Sequence, residues 1–211
     1  MRYDRLLICA LGLIHPLTGL AQRSAEDLFR SGNTKAAKAD NGGAIADFTR
    51  AIELDPKYTK AYANRGVVKA EKGDYDGAIA DLTKAIELDP KYAKAYANRA
   101  VVKSDKGDYD GGIADSTEAV ELDPKSADGY RSRAKAKLKD DFEGAIADST
   151  KAIELNPNDA TAYLFRAVAK AKKGDRDGAK ADLIKSAEID SSVIQRFTSA
   201  MRLPEPPGKG E

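Results

Sequence analysis

The chain has 211 residues, with 35 basic and 34 acidic side chains and a formal net charge of +1. That balance lacks the one-signed field expected of a protein that binds nucleic acid or an anionic membrane. Cys9 and His15 are its one Cys and one His, so the chain beyond them has no groups for Ser-His-Asp or Cys-His catalysis, His or Cys zinc ligation, or disulfides.

The N-terminus reads as an export signal. Arg2 and Arg5 precede the apolar run Leu6 to Ile14, and small residues stand at Gly19 and Ala21. Charge, apolar core and small residues together predict a secretory signal peptide over residues 1–21, cut after Ala21. The alternative is an uncleaved membrane anchor, but the run falls short of the ~20 residues that span a bilayer, and His15-Pro16 interrupts it. Cys9 lies inside the run rather than after it, which argues against a lipoprotein. The expected location is periplasmic or secreted.

A repeat begins at Ala25. Asp55-Pro56, Asp89-Pro90, Asp123-Pro124, Asn156-Pro157 and Asp190-Ser191 recur at steps of 34, 34, 33 and 34 residues. A period of this size marks one supersecondary unit, repeated and stacked. The units are 25–58, 59–92, 93–126, 127–159 and 160–192. In the second, Tyr62, Gly66 and Val67 mark a face of a first helix, and Ala78, Ile79, Leu82, Ala85, Ile86 and Leu88 a face of a second. Gly73 can close the first helix in the left-handed conformation. Asp74 can cap the next one, and Asp89-Pro90 stops it. One such pair buries its apolar stripes only by stacking on its neighbours, so all five predict a single all-α solenoid.

Unit four is one residue short and lacks the turn Gly, which predicts a tighter or irregular turn. The bulky column Phe48, Leu82, Leu183 becomes Ser116 and Ser149, and Gly112 replaces a packing Ala. Losing a buried Leu costs about 2–5 kcal/mol where nothing refills the space, so units three and four are expected to be the softest. The columns Asp47, Asp81, Asp115, Asp148, Asp182 and Arg65, Arg99, Arg133, Arg166 are expected to pair across the helices of a unit; the alternative is two solvated columns facing apart. The stretch Gly107 to Gly111 fails as a calcium loop, because Lys106 and Thr117 would occupy its first and twelfth ligand positions. Val193 to Leu203 predicts a capping helix, and residues 204–211 a mobile tail.

These columns resemble the tetratricopeptide repeat family. The aromatics Tyr62, Tyr96, Tyr130 and Tyr163 (Leu28 in unit one) precede the small residues Gly32, Gly66, Ala100, Ala134 and Ala167. Tyr75, Tyr109 and Phe142 open second helices, and Ala51, Ala85, Ala119 and Ala152 stand near their ends. The resemblance covers residues 25–192. It implies a right-handed superhelix whose concave face, lined by the first helices, holds a peptide or protein segment without catalysis, cofactor or metal. Carried onto this chain, the lining is Asn33, Lys60, Asn64, Val67, Lys94, Asn98 and Val101, then Arg131, Ser132 and Lys135 in unit four and Leu164 and Phe165 in unit five. Arg131 and Lys135, one turn apart, would favour an acidic partner; the alternative is a solvated basic helix. The carboxylate clamp known in the family is matched at Asn33, Asn64 and Lys94, but Phe29 and Asn98 stand where two of its cations belong. The alternative function is a structural subunit that assembles through its convex face or its ends.

Overall fold

The computed structural model describes residues 23–200; the expected signal peptide, the end of the expected capping helix at 201–203 and the expected tail lie outside them. Five helix pairs follow one another: α1 (Ala25–Ala37) with α2 (Asn41–Leu54), α3 (Thr59–Glu71) with α4 (Tyr75–Leu88), α5 (Ala93–Asp105) with α6 (Tyr109–Leu122), α7 (Ala127–Lys137) with α8 (Phe142–Leu155), and α9 (Ala160–Lys172) with α10 (Arg176–Ile189). A last helix, α11 (Ser191–Ala200), closes the row. The described residues contain no strand. Each second helix packs on its own first helix and on the next unit's. First helices also touch one another from unit to unit, whereas second helices do not. The first helices therefore lie on the inside of the curve.

Local signals explain the boundaries. Asp40, Asp74, Asp108, Asp141 and Asp175 each cap a second helix by accepting a bond from the backbone N–H of Gly43, Gly77, Gly111, Gly144 and Gly178, at 2.8–3.0 Å. A Cβ on any of these glycines would collide with the capping carboxylate, so Asp and Gly form one device. Gly73, Gly107 and Gly174 take positive φ in the turns between helices. Unit four has no such residue; α7 is two residues shorter than its counterparts, and four residues, 138–141, join it to α8 where three join the other pairs, so the turn is irregular rather than tighter.

Unit one places Ala39 at φ 59°, in the column where the other turns use Gly. A left-handed conformation costs an L-residue about 1–2 kcal/mol, and Gly returns part of that through its freer unfolded chain. Ala39→Gly is therefore expected to stabilise the protein by about 1 kcal/mol, read as a raised midpoint in urea. A lowered midpoint would contradict this.

The core is a set of small-to-large pairs. Phe48 and Leu82 are fully buried and extend over Gly32 and Gly66. A Cβ at Gly32 would stand 2.6 Å from Phe48, and one at Gly66 would stand 2.9 Å from Leu82. In the next two units the pairs become Ala100 with Ser116 and Ala134 with Ser149, all at 0% exposure. Small residues let helices approach, and α7 packs against α5 far more extensively than any other two first helices pack. Gly112 belongs to the same adjustment, because Ser104 Oγ occupies the place its Cβ would take. The space lost by the large side chains is thus taken up by closer helices, which reduces the softness expected of units three and four. Ser116 satisfies its hydroxyl on Gly112 O at 2.7 Å, while the buried Ser149 hydroxyl has no hydrogen-bond partner among the described residues.

The C-terminal end departs from expectation in two ways. Leu183 continues the bulky column in sequence but is 37% exposed, with Ile184 at 51%; among the described residues only α9 and α11 pack on its helix. The capping helix starts at Ser191, two residues before the expected Val193. Asp190 leaves α10 in an extended conformation, as Asp55 and Asp89 leave their helices, but α11 follows it at once, without the turn residues that precede the other first helices. Val193 of this helix packs on Ala160 and Leu164.

Candidate functional site: the seam and the concave cleft

The Arg and Asp columns meet. Arg65 Nε and Nη2 donate to the two Asp81 oxygens at 2.8 and 2.7 Å. The same fork joins Arg99 to Asp115, Arg133 to Asp148 and Arg166 to Asp182. Arg65, Arg99 and Arg166 also reach back with Nη1 to Thr49, Thr83 and Thr150 on the preceding second helix. Each of these three arginines therefore ties three helices of two units. The rings of Tyr62, Tyr96, Tyr130 and Tyr163 lie 5.5–5.7 Å beneath the four guanidiniums, a cation–π arrangement.

The sequence reading missed a fourth column. Lys35, Lys69, Lys103, Lys137 and Lys170 each bond the same carboxylates at 2.7–2.9 Å. The signal was there, since Lys69, Lys103, Lys137 and Lys170 follow the arginines by four residues and so share their helix face. Unit one has Ser31 in the Arg column, and Asp47 is held by Ser31 and Lys35 instead.

These carboxylates set an acid response. Burial pushes the Asp182 carboxyl upward, but hydrogen bonds from Arg166 and Lys170 outweigh it and hold the group below its ordinary range. Asp47 is likewise held down, burial being outweighed by Lys35 and Ser31. A carboxyl whose folded pKa is depressed contributes stability that is complete above the unfolded value, about 3.9, and is lost as pH falls through the folded value. The melting temperature is therefore expected to fall as pH drops below about 4, in circular dichroism at constant ionic strength. A midpoint unchanged from pH 5 to pH 2 would contradict this.

The predicted lining residues separate into two groups. Asn33, Asn64, Lys94 and Asn98 line a cleft of about 370 Å³ on the first helices of units one to three, with Ala36, Ala37, Val67 and Val68 as its apolar wall. Asn64 Nδ2 donates to Asn33 Oδ1 at 2.7 Å, which leaves the Asn64 oxygen and the Asn33 amide free to bond a ligand. Lys60 is exposed and Val101 half-buried on the same helices, outside this cleft lining.

The expected lining of units four and five is closed. Ser132 is 1% exposed, and Leu164 and Phe165 are 2% and 6% exposed; α11 lies on α9 and covers Leu164. None of these three lines an open groove. Arg131 is fixed between Asp128 and Asp159 at 2.6 and 2.7 Å, and Lys135 is paired with Asp105 at 2.6 Å. Their charge is balanced within the fold.

Family models for the tetratricopeptide repeat match residues 48–80, 68–107 and 93–126. With the consecutive helix pairs, the chain is a member of the tetratricopeptide repeat family. None of the curated proteins matches the chain. Among solved structures, a thermophilic tetratricopeptide repeat protein, TTC0263 of Thermus thermophilus, superposes with a TM-score of 0.73 at 19% identity, over 85% of this chain and all of the other. The MamA protein gives a TM-score of 0.59 at 23% identity, covering 87% and 98% of the two chains. YrrB, described as a tetratricopeptide repeat protein with an unusual peptide-binding site, gives 0.55 at 20% identity over 84% and 92%. At these identities the likeness is one of fold. That fold class serves as a protein-interaction scaffold.

Proposed function

We propose that the protein is a non-catalytic scaffold that holds a peptide or protein segment in the concave cleft of its first three units. The observation that carries this is the cleft itself, where Asn33, Asn64 and Asn98 stand beside an apolar wall. Asn offers both a donor and an acceptor, as an extended backbone requires. YrrB, with the same fold, is described as having a peptide-binding site, which supports the reading. Arg131 and Lys135 favour an acidic segment only if it displaces their own acidic partners. The test is affinity capture with the wild type and with the Asn64→Ala, Asn98→Ala double variant, each followed by mass spectrometry. Proteins retained by the wild type and lost by the variant support the groove; identical captures would overturn it.

A second reading is assembly through the C-terminal end, favoured by the exposed Leu183 and Ile184. Light scattering of the wild type against Ile184→Lys separates the two readings, since the change would dissociate an assembly and leave a groove untouched. We further propose export to the periplasm or beyond through residues 1–21; mass spectrometry of protein recovered outside the cytoplasm, showing a new N-terminus at Gln22, would establish it.

A further inference from the structure

Most ionic side chains around the cleft are already paired. Lys35, Lys69 and Lys103 hold the aspartates of the seam, and Lys135 holds Asp105. Two charges in the cleft lining differ. Glu71 and Lys94 form no ion pair or side-chain hydrogen bond among the described residues, and both are exposed. The Asn98 amide, also in the lining, makes no side-chain hydrogen bond among the described residues.

Their placement is directional. Lys94 holds in α5 the position that Lys60 holds in α3, and Glu71 lies eleven residues along α3 from Lys60. The repeat runs α3 and α5 in the same direction, side by side. At 1.5 Å per residue the two charges are therefore offset by about 16 Å along the helix axes. An extended chain rises about 3.3 Å per residue, so about five residues bridge that distance. The apolar wall of Ala36, Ala37 and Val67 belongs to the same cleft.

On the groove reading above, we propose that the cleft selects an extended segment in which an aliphatic side chain is bracketed by one acid and one base about five residues apart. The acid meets Lys94, the base meets Glu71, and the aliphatic group rests on the Ala–Val wall. A ligand with two acids brings one against Glu71, and one with two bases brings one against Lys94. Such like-charge contacts discriminate between ligands more strongly than an exposed pair attracts.

The experiment is fluorescence anisotropy with labelled seven-residue peptides, each with a central Leu between alanines. Their two flanking charges are Glu and Lys in either order, both Glu, both Lys, or both Gln. One of the mixed-charge peptides is expected to bind at least tenfold tighter than the other four. The Glu71→Lys, Lys94→Glu double variant should then prefer the opposite order. Both positions are exposed, and circular dichroism verifies that the variant is folded. Equal binding of all five peptides overturns the charge selection and leaves the groove reading standing. Binding of none overturns both. An order preference that persists in the swapped variant also overturns the proposal.

Discussion

Asp115→Ala is expected to lower the stability by about 3 kcal/mol, among the largest effects of any single side-chain truncation on the helix faces. Asp115 is buried, and its two oxygens receive the Arg99 fork and Lys103. Removing one partner of a buried ion pair strands the other charges, which costs far more than the intact pair contributes. Here two cations are stranded, with side-chain exposures of 15% and 22%. Asp47→Ala should cost less, because unit one has no arginine to strand and Lys35 is 36% exposed. Lys84→Ala should leave the stability nearly unchanged, since its pair with Glu87 is exposed. Urea denaturation of the three variants orders them, and equal losses at Asp115 and Lys84 would show that the seam does not hold the units together.

The second large effect concerns the paired core columns. Gly66→Ala should cost about 2 kcal/mol, because its methyl would stand 2.9 Å from Leu82 Cγ and 3.0 Å from the backbone oxygen of Ala78. Leu82→Ser should cost about 4 kcal/mol through lost burial and a cavity. The double variant reproduces the Ala–Ser pair of units three and four, so it should lose at least about 1 kcal/mol less than the sum. Additive losses would mean that the two columns do not compensate one another.

The period of the chain made the helix pairs, the turn glycines and the Asp caps legible, because each is local and recurs. The Arg–Asp seam was legible as two columns one helix apart. The Lys column was not singled out among the other lysines of these helices, although the four-residue step from each arginine marks four of its five members. Ala39 is not a residue type that favours a left-handed turn, and only the period, which sets it in the column of Gly73 and Gly107, marks the conformation it takes. The lining of units four and five failed for a different reason. A concave position is open only if neighbouring first helices stand apart, and that distance depends on small residues in three columns at once. Leu183 belongs to a buried column by sequence, yet among the described residues only α9 and α11 pack on its helix.

Hydrogen exchange of the full chain, with and without a captured partner, tests the location of the binding face most directly. Slower exchange on binding is expected in α1, α3 and α5, with α7 and α9 unchanged. Protection confined to α10 and α11, or to the outer helices α2, α4 and α6, would contradict the groove and place the partner on the end or the convex face.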